Sequence, residues 1–135
     1  MSINITVSHI ALQVTNLQRS TDFYQNIVGL PPLEEPFKIG RHSWFALGPG
    51  CQLHLIAGAE QLPGFHIDHH LAMSTPLFEA FIEKLTDNGV AYCDARKNWG
   101  VVHVRPDGIR QVFFQDPDGY WLEMNNEFPV PVNPV

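Results

Sequence analysis

The sequence predicts an α+β fold built from two copies of one module, each a strand, a helix and then three strands. Three observations predict it. Strand-type and helix-type stretches follow one another in the same order in both halves of the 135-residue chain. Gly29 and Gly89, which end the two helices, lie 60 residues apart. His9 and His70, on the two opening strands, lie 61 apart. A period of this size used only twice marks a duplicated module and not a solenoid.

The first half opens with VSHIALQV, whose apolar residues alternate as on a half-buried strand. NLQRSTDFYQNIVGL follows as a helix: Asn16 is the N-cap, Leu17, Tyr24 and Val28 recur near helical spacing, and Gly29 is the stop. Pro31 and Pro32 block continuation. The strand pieces PLEEP, HSWFALG and CQLHLIAG complete the module, with a GPG turn between the last two.

The second half begins with the strand HHLAMS. TPLFEAFIEKLTDNGV is the clearest helix, with Thr75 as cap and Pro76 at the first helical position. Leu77, Phe78, Phe81, Ile82 and Leu85 form its apolar stripe. VAYCDA, GVVHV, RQVFFQD and YWLEMN are strand-like, with turns at RPDG and DPDG. Module one therefore spans about residues 4–57, a linker 58–67, module two about 68–126, and a Pro-rich extended tail 127–135. Neither half has core enough to stand alone, so residues 1–135 are expected to form a single domain.

Composition excludes several classes. The net charge is −6, and the eight Lys and Arg residues are scattered, which argues against a nucleic-acid partner. No apolar run approaches the roughly 18–20 residues of a membrane span. The segment MSINITVSHI lacks the basic region and apolar core of a signal peptide. A cytoplasmic protein is expected. Cys51 and Cys93, with no CxxC spacing, suit a reducing compartment and read as buried small hydrophobes.

Side chains alternate across a strand, so parity sorts them into faces. His9 shares a face with Ala11 and Gln13, opposite Ile10, Leu12 and Val14. His54 lies with Gln52 and Ile56, opposite Leu53 and Leu55. His70 lies with Ala72 and Ser74, opposite His69, Leu71 and Met73. Glu123 lies with Trp121 and Asn125, opposite Leu122 and Met124. The first and last strand of each half thus carries one ligand-type residue backed by aliphatic ones. Polar groups on the inner surface of a small sheet are costly unless paired or bound to a metal. Four at matching places point to a metal site. His42, His66 and His69 are assigned no ligand role.

SHIALQVTNLQRSTDFYQNIVGL, DHHLAMS with the helix and NGV after it, and QVFFQDPDGYWLEMN resemble the vicinal oxygen chelate superfamily. That group includes glyoxalase I, fosfomycin-resistance thiol transferases, extradiol dioxygenases and bleomycin-resistance proteins. The resemblance runs from about Ser8 to Asn125 and is most specific in FFQDPDGYWLE. It implies two βαβββ modules whose mixed sheets curl into an open barrel around one divalent ion, with flanking helices. The ligand set it implies is His9, His54, His70 and Glu123, the same four that parity selects.

Three imidazoles and one carboxylate suit zinc, nickel, iron, cobalt or manganese. Without His54, two histidines and one carboxylate would leave an open face, as in non-haem iron oxygenases. With it, open positions remain only at coordination five or six. The resemblance implies chelation of a small molecule's oxygens and Lewis-acid catalysis of a lyase or isomerase type. The chain departs from glyoxalase I in having His54 where a second carboxylate is usual, which leaves Glu123 as the catalytic carboxylate. It departs from the fosfomycin enzymes at Ala11. An Fe(II) extradiol-type dioxygenase and a metal-free, bleomycin-resistance-like binding protein are the alternatives, and His103 is the acid–base candidate for the former. Arg110 is expected to bind a substrate anion, and Trp121 and Phe113 to line an apolar pocket. A homodimer is expected, because paired modules leave sheet edges to cover.

Overall fold

The computed structural model describes residues 3–131, so positions 132–135 of the expected tail lie outside the described residues. The chain forms two compact units, divided between Pro63 and Gly64. Each unit is an open mixed sheet with a helical segment, and neither sheet closes on itself. The α+β class expected from the sequence is the observed one.

In the first unit, β1 (His9–Val14) leads into α1 (Leu17–Asp22), followed by β2 (Pro32–Leu33), β3 (His42–Ala46) and β4 (Gln52–Ala57). The sheet order is β1-β4-β3-β2; β1 and β4 run parallel and the other neighbours antiparallel. Asn16 caps α1 as expected, its Oδ1 accepting from the Arg19 amide at 3.0 Å. The helix then widens into a π-helical segment over Phe23–Val28. Gly29, at φ 87°, ends it by donating to the Tyr24 carbonyl five residues back at 3.1 Å. α1 buries Ser20 and the π-helical segment Phe23, Tyr24 and Val28, whereas Leu17 is only half-buried. Val14, Phe45, Leu53 and Leu55 are buried, and the Tyr24 and Phe45 rings sit 6.4 Å apart.

In the second unit, β5 (His70–Ser74) precedes α2 (Phe78–Asp87), β6 (Tyr92–Cys93), β7 (His103–Val104), β8 (Arg110–Gln115) and β9 (Trp121–Asn125). The order is β5-β9-β8-β6, with β7 also pairing with β8. The four strand-like pieces after the helix are thus all used, one more than the three-strand pattern expected. VAYCDA and GVVHV each contribute only two strand residues. α2 starts at Phe78, two residues later than expected. Thr75 Oγ1 accepts from the Leu77 amide at 3.1 Å, which closes a turn before the helix instead of capping it. Leu77 is accordingly exposed, and Phe78, Phe81 and Leu85 form the buried stripe. Val112, Phe114, Leu122 and Met124 are buried on one side of β8 and β9, where the Phe81 and Phe114 rings lie 5.5 Å apart. Side chains of this kind contribute about 1.5–3 kcal/mol each when fully buried.

Residues 64–67, expected to be linker, belong to the second unit. Ile67 is buried with Cys93, Phe113 and Trp121, and Phe65 packs against this cluster. Cys93 is buried as expected, and Cys51 is half-buried. Among the described residues, no helix is long and apolar enough to cross a membrane.

Candidate metal centre

The parallel pairing of β5 with β9 sets Ala72 opposite Glu123 and His70 opposite Trp121, so all four share one face. Antiparallel pairing with β8 adds Phe113 and Gln111 to that face, opposite Glu123 and Asn125. On it, His70 Nε2 lies 3.2 Å from Glu123 Oε1. The other end of each group is already held. His70 Nδ1 lies 2.7 Å from the Ile67 carbonyl, so Nδ1 carries a proton and, in the neutral ring, Nε2 keeps its lone pair. Glu123 Oε2 accepts from Gln111 Nε2 at 3.0 Å and Asn125 Nδ2 at 2.6 Å.

Glu123 is only 5 % exposed, and a buried carboxylate is costly unless its oxygens are satisfied. Two amides satisfy Oε2. Oε1 faces His70 Nε2. Ligand atoms bonded at about 2.1 Å and separated by 90–110° stand roughly 3.0–3.4 Å apart, so the 3.2 Å gap fits two neighbouring ligands of one small ion. The backbone contact to His70 and the amides on Glu123 are contacts of the kind that orient metal ligands. The Phe113 ring meets His70 edge-on at 5.2 Å and restricts its rotation. The DPDG turn sets the start of β9: Asp116 Oδ1 accepts from the Asp118 and Tyr120 amides at 2.9 and 3.0 Å.

In the first unit, parallel pairing sets Ala11 opposite His54 and His9 opposite Gln52. The His9 and His54 rings stack at 4.2 Å, inclined by 15°. Trp44, directly across β3 from His54, covers the other side of its ring at 3.9 Å and 3°. His54 is thus clamped between two rings. Its Nε2 lies 2.8 Å from Gln52 Oε1; the amide oxygen accepts, so Nε2 carries the proton and Nδ1 keeps the lone pair. Burial, then the neighbouring His9 and His42, push its pKa down, which favours the neutral form that a metal needs. His9 Nδ1 lies 2.7 Å from Ser8 Oγ.

Each unit therefore holds a pair of the expected ligands. Among the described residues no group of three or more His, Cys, Asp or Glu side chains is placed to hold an ion. Phe113 and Trp121 lie on the face of Glu123, but both are buried in the small apolar cluster. Arg110 does not share that face. It points to the helix side of β8, where its guanidinium lies 5.1 Å from the Phe78 ring and pairs with Glu79. His103 stands across from Gln111, on the same face as Glu123. His66 and His69 are exposed in the turn before β5. Sequence reading singled out neither Gln111 nor Asn125 as holding Glu123. Their parity with Glu123 was the available signal.

The family model for the glyoxalase/bleomycin resistance protein/dioxygenase superfamily matches residues 6–124. The chain belongs to this superfamily. "Glyoxylase I 4" of Arabidopsis thaliana is 26 % identical over 136 residues, covering 96 % of this chain and 75 % of that protein. A solved glyoxalase/dioxygenase from Nostoc punctiforme is 28 % identical with a TM-score of 0.75, covering 93 % of this chain and 98 % of that one. A mutant of the fosfomycin resistance protein FosX from Listeria monocytogenes, solved with Mn(II) and 1S,2S-dihydroxypropylphosphonic acid, shares the fold. Its identity is 21 %, its TM-score 0.71, and the match covers 92 % of this chain and 93 % of that one. A protein of this fold thus binds a divalent metal and a small molecule.

Proposed function

We propose that this chain is a metal-dependent enzyme of the glyoxalase-like lyase or isomerase type, with His70 and Glu123 of the second unit and His9 and His54 of the first as its divalent-metal ligands. Zinc, nickel, iron, cobalt and manganese all suit that donor set. The observation that carries the reading is the His70–Glu123 pair: two donor atoms 3.2 Å apart, with their far ends fixed by a carbonyl and two amides. The bound ion would supply Lewis acidity to oxygens of a small-molecule substrate.

The chain's own groups do the rest. Gln111 and Asn125 hold Glu123 Oε2, so Oε1 is the atom that meets the ion or takes a substrate proton. Ile67 fixes the His70 tautomer. Trp44 and His9 fix the plane of His54. We place the protein in the cytoplasm as a homodimer, with β1 and β5, each at the edge of its sheet, as the strands that need covering.

His103, on the face of Glu123 and beside Gln111, favours a second reading as an Fe(II) extradiol-type oxygenase with His103 as acid–base group. Anaerobic loading with each metal, followed by a panel of hydroxy ketones, epoxides and catechols, separates the readings. Isomerisation or addition without oxygen uptake supports the first. Oxygen-dependent ring cleavage with iron alone supports the second. A protein that binds these molecules with no turnover under any metal would be a binding protein, and both enzyme readings would fall.

A further inference from the structure

The loop between β6 and β7 is built around one carboxylate. Asp94, only 8 % exposed, accepts from the Arg96 amide at 2.9 Å, the Asn98 amide at 2.8 Å and Asn98 Nδ2 at 2.9 Å. Its carbonyl also accepts from the Lys97 amide at 3.0 Å. These bonds hold Lys97 at φ 62°, a conformation uncommon for a side chain of this size. Strained residues persist where the surroundings fix them, and they cluster at functional sites.

The loop presents two side chains to the face of Glu123. Trp99 bridges to Cys93 at the outer edge of β6, and Cys93 is level with Phe113, which is level with Glu123. From that edge, Trp99 reaches within 6.3 Å of the Trp121 ring, at an inclination of 30°. Lys97 Nζ lies 5.6 Å from the same ring. Trp121 is on β9, two strand spacings or about 9–10 Å in from β6. The two side chains therefore lie across the inner face, over the residue directly opposite His70. Trp121 is 4 % exposed beneath them, while Trp99 keeps 54 % of its surface open. Arg105 and Arg110 are held by carboxylates. Lys97 has no ion-pair partner among the described residues.

We propose that Lys97 and Trp99 form the recognition wall of the site and that its substrate is a planar acid. A conjugated or aromatic ring would lie on Trp99 and a carboxylate would meet Lys97 Nζ. The proposal rests on the metal-site reading for what the molecule's other oxygens would meet beside His70 and Glu123. In a chain of net charge −6, a local cation is what admits an anion. Lys97, and not Arg110, is the cation on the right face.

The test uses 2-naphthoate and neutral 2-naphthol, titrated by calorimetry into EDTA-treated full-length protein. The protein should bind the acid about tenfold more tightly than the alcohol, the size of one charge-assisted contact. Lys97→Gln should abolish that ratio without weakening 2-naphthol binding, and Lys97→Arg should keep it. An absent preference in the parent, or one that survives Lys97→Gln, overturns the proposal. Zinc uptake by the same protein, dialysed free of EDTA and reloaded, judges the metal reading separately. A preserved naphthoate ratio in protein that takes up no zinc would sink that reading and leave the wall. Zinc uptake with no ratio would do the reverse.

Discussion

His70 and Glu123 meet diagonally across the parallel pair β5–β9, Nε2 to Oε1 at 3.2 Å, with every outer contact arranged to keep those two atoms forward. That side of the sheet carries the polar pair beside the buried Phe113 and Trp121, and the other, with Val112, Phe114, Leu122 and Met124, is given to packing. Several measurements follow from how that division is made.

Gln111 is the partner of Glu123 whose removal disturbs least else, because it is only half-buried at the start of β8. Gln111→Leu should leave the fold intact and weaken divalent-metal binding about 10–100-fold, the usual loss when an outer partner of a metal ligand is removed. Competition with a chromophoric chelator measures this. Unchanged affinity would mean that Asn125 alone positions the carboxylate.

Hydrogen bonds from the Asn98 side chain, and then from the Asn98 and Arg96 amides, hold the Asp94 carboxyl below its ordinary value of 3.8. A depressed carboxyl contributes its stability fully above 3.8, and that contribution fades as pH falls through the lower folded value. The Trp99 loop should therefore stay ordered well into the acid range and loosen only below 3.8. Tryptophan emission and near-ultraviolet circular dichroism against pH report it. Asp94→Asn loses the acceptor for Asn98 Nδ2 and should show the loosened signal already at pH 7, with no acid transition.

Much of this organisation was legible in the sequence, and the reason is geometric. A strand has a period of two, so parity alone put His9, His54, His70 and Glu123 opposite aliphatic residues, and the pairings keep those faces. Arg110 shows the limit. It shares parity with Val112 and Phe114 and so faces the helix side, although its place at the start of β8 suggests an anion-binding role. Its partner Glu79 lies 31 residues away, on a helix that starts two residues later than its sequence signals suggest. Thr75 and Pro76 resemble a cap and a first helical residue, yet the hydroxyl closes a short turn. The π-helical widening after Asp22 has no signal in the spacing, which does not show that the adjacent Phe23 and Tyr24 are both buried. No periodicity marks the Lys97–Trp99 loop, a segment folded around one aspartate.

Arg110→Ala tests the reassignment of that residue. It removes an ion pair with the exposed Glu79 and the contact with the Phe78 ring. Such contacts are worth about 1 kcal/mol or less each. Denaturant titration should show a small loss of stability, and metal binding should not change. A large loss of affinity for small anions would restore its expected role.

Leu122 is fully buried between Trp121 and Glu123 in sequence and faces the helix side of the sheet. Leu122→Ala should cost about 2–5 kcal/mol in chemical unfolding. A loss under about 1 kcal/mol would show that this side of β9 is not the packed one.

The most direct test of the central claim is metal content per chain in the parent protein and in His70→Ala and Glu123→Ala, each loaded and dialysed alike. The account predicts one divalent ion per chain in the parent and loss of most of it in both variants. Full retention of the ion in both variants would contradict it.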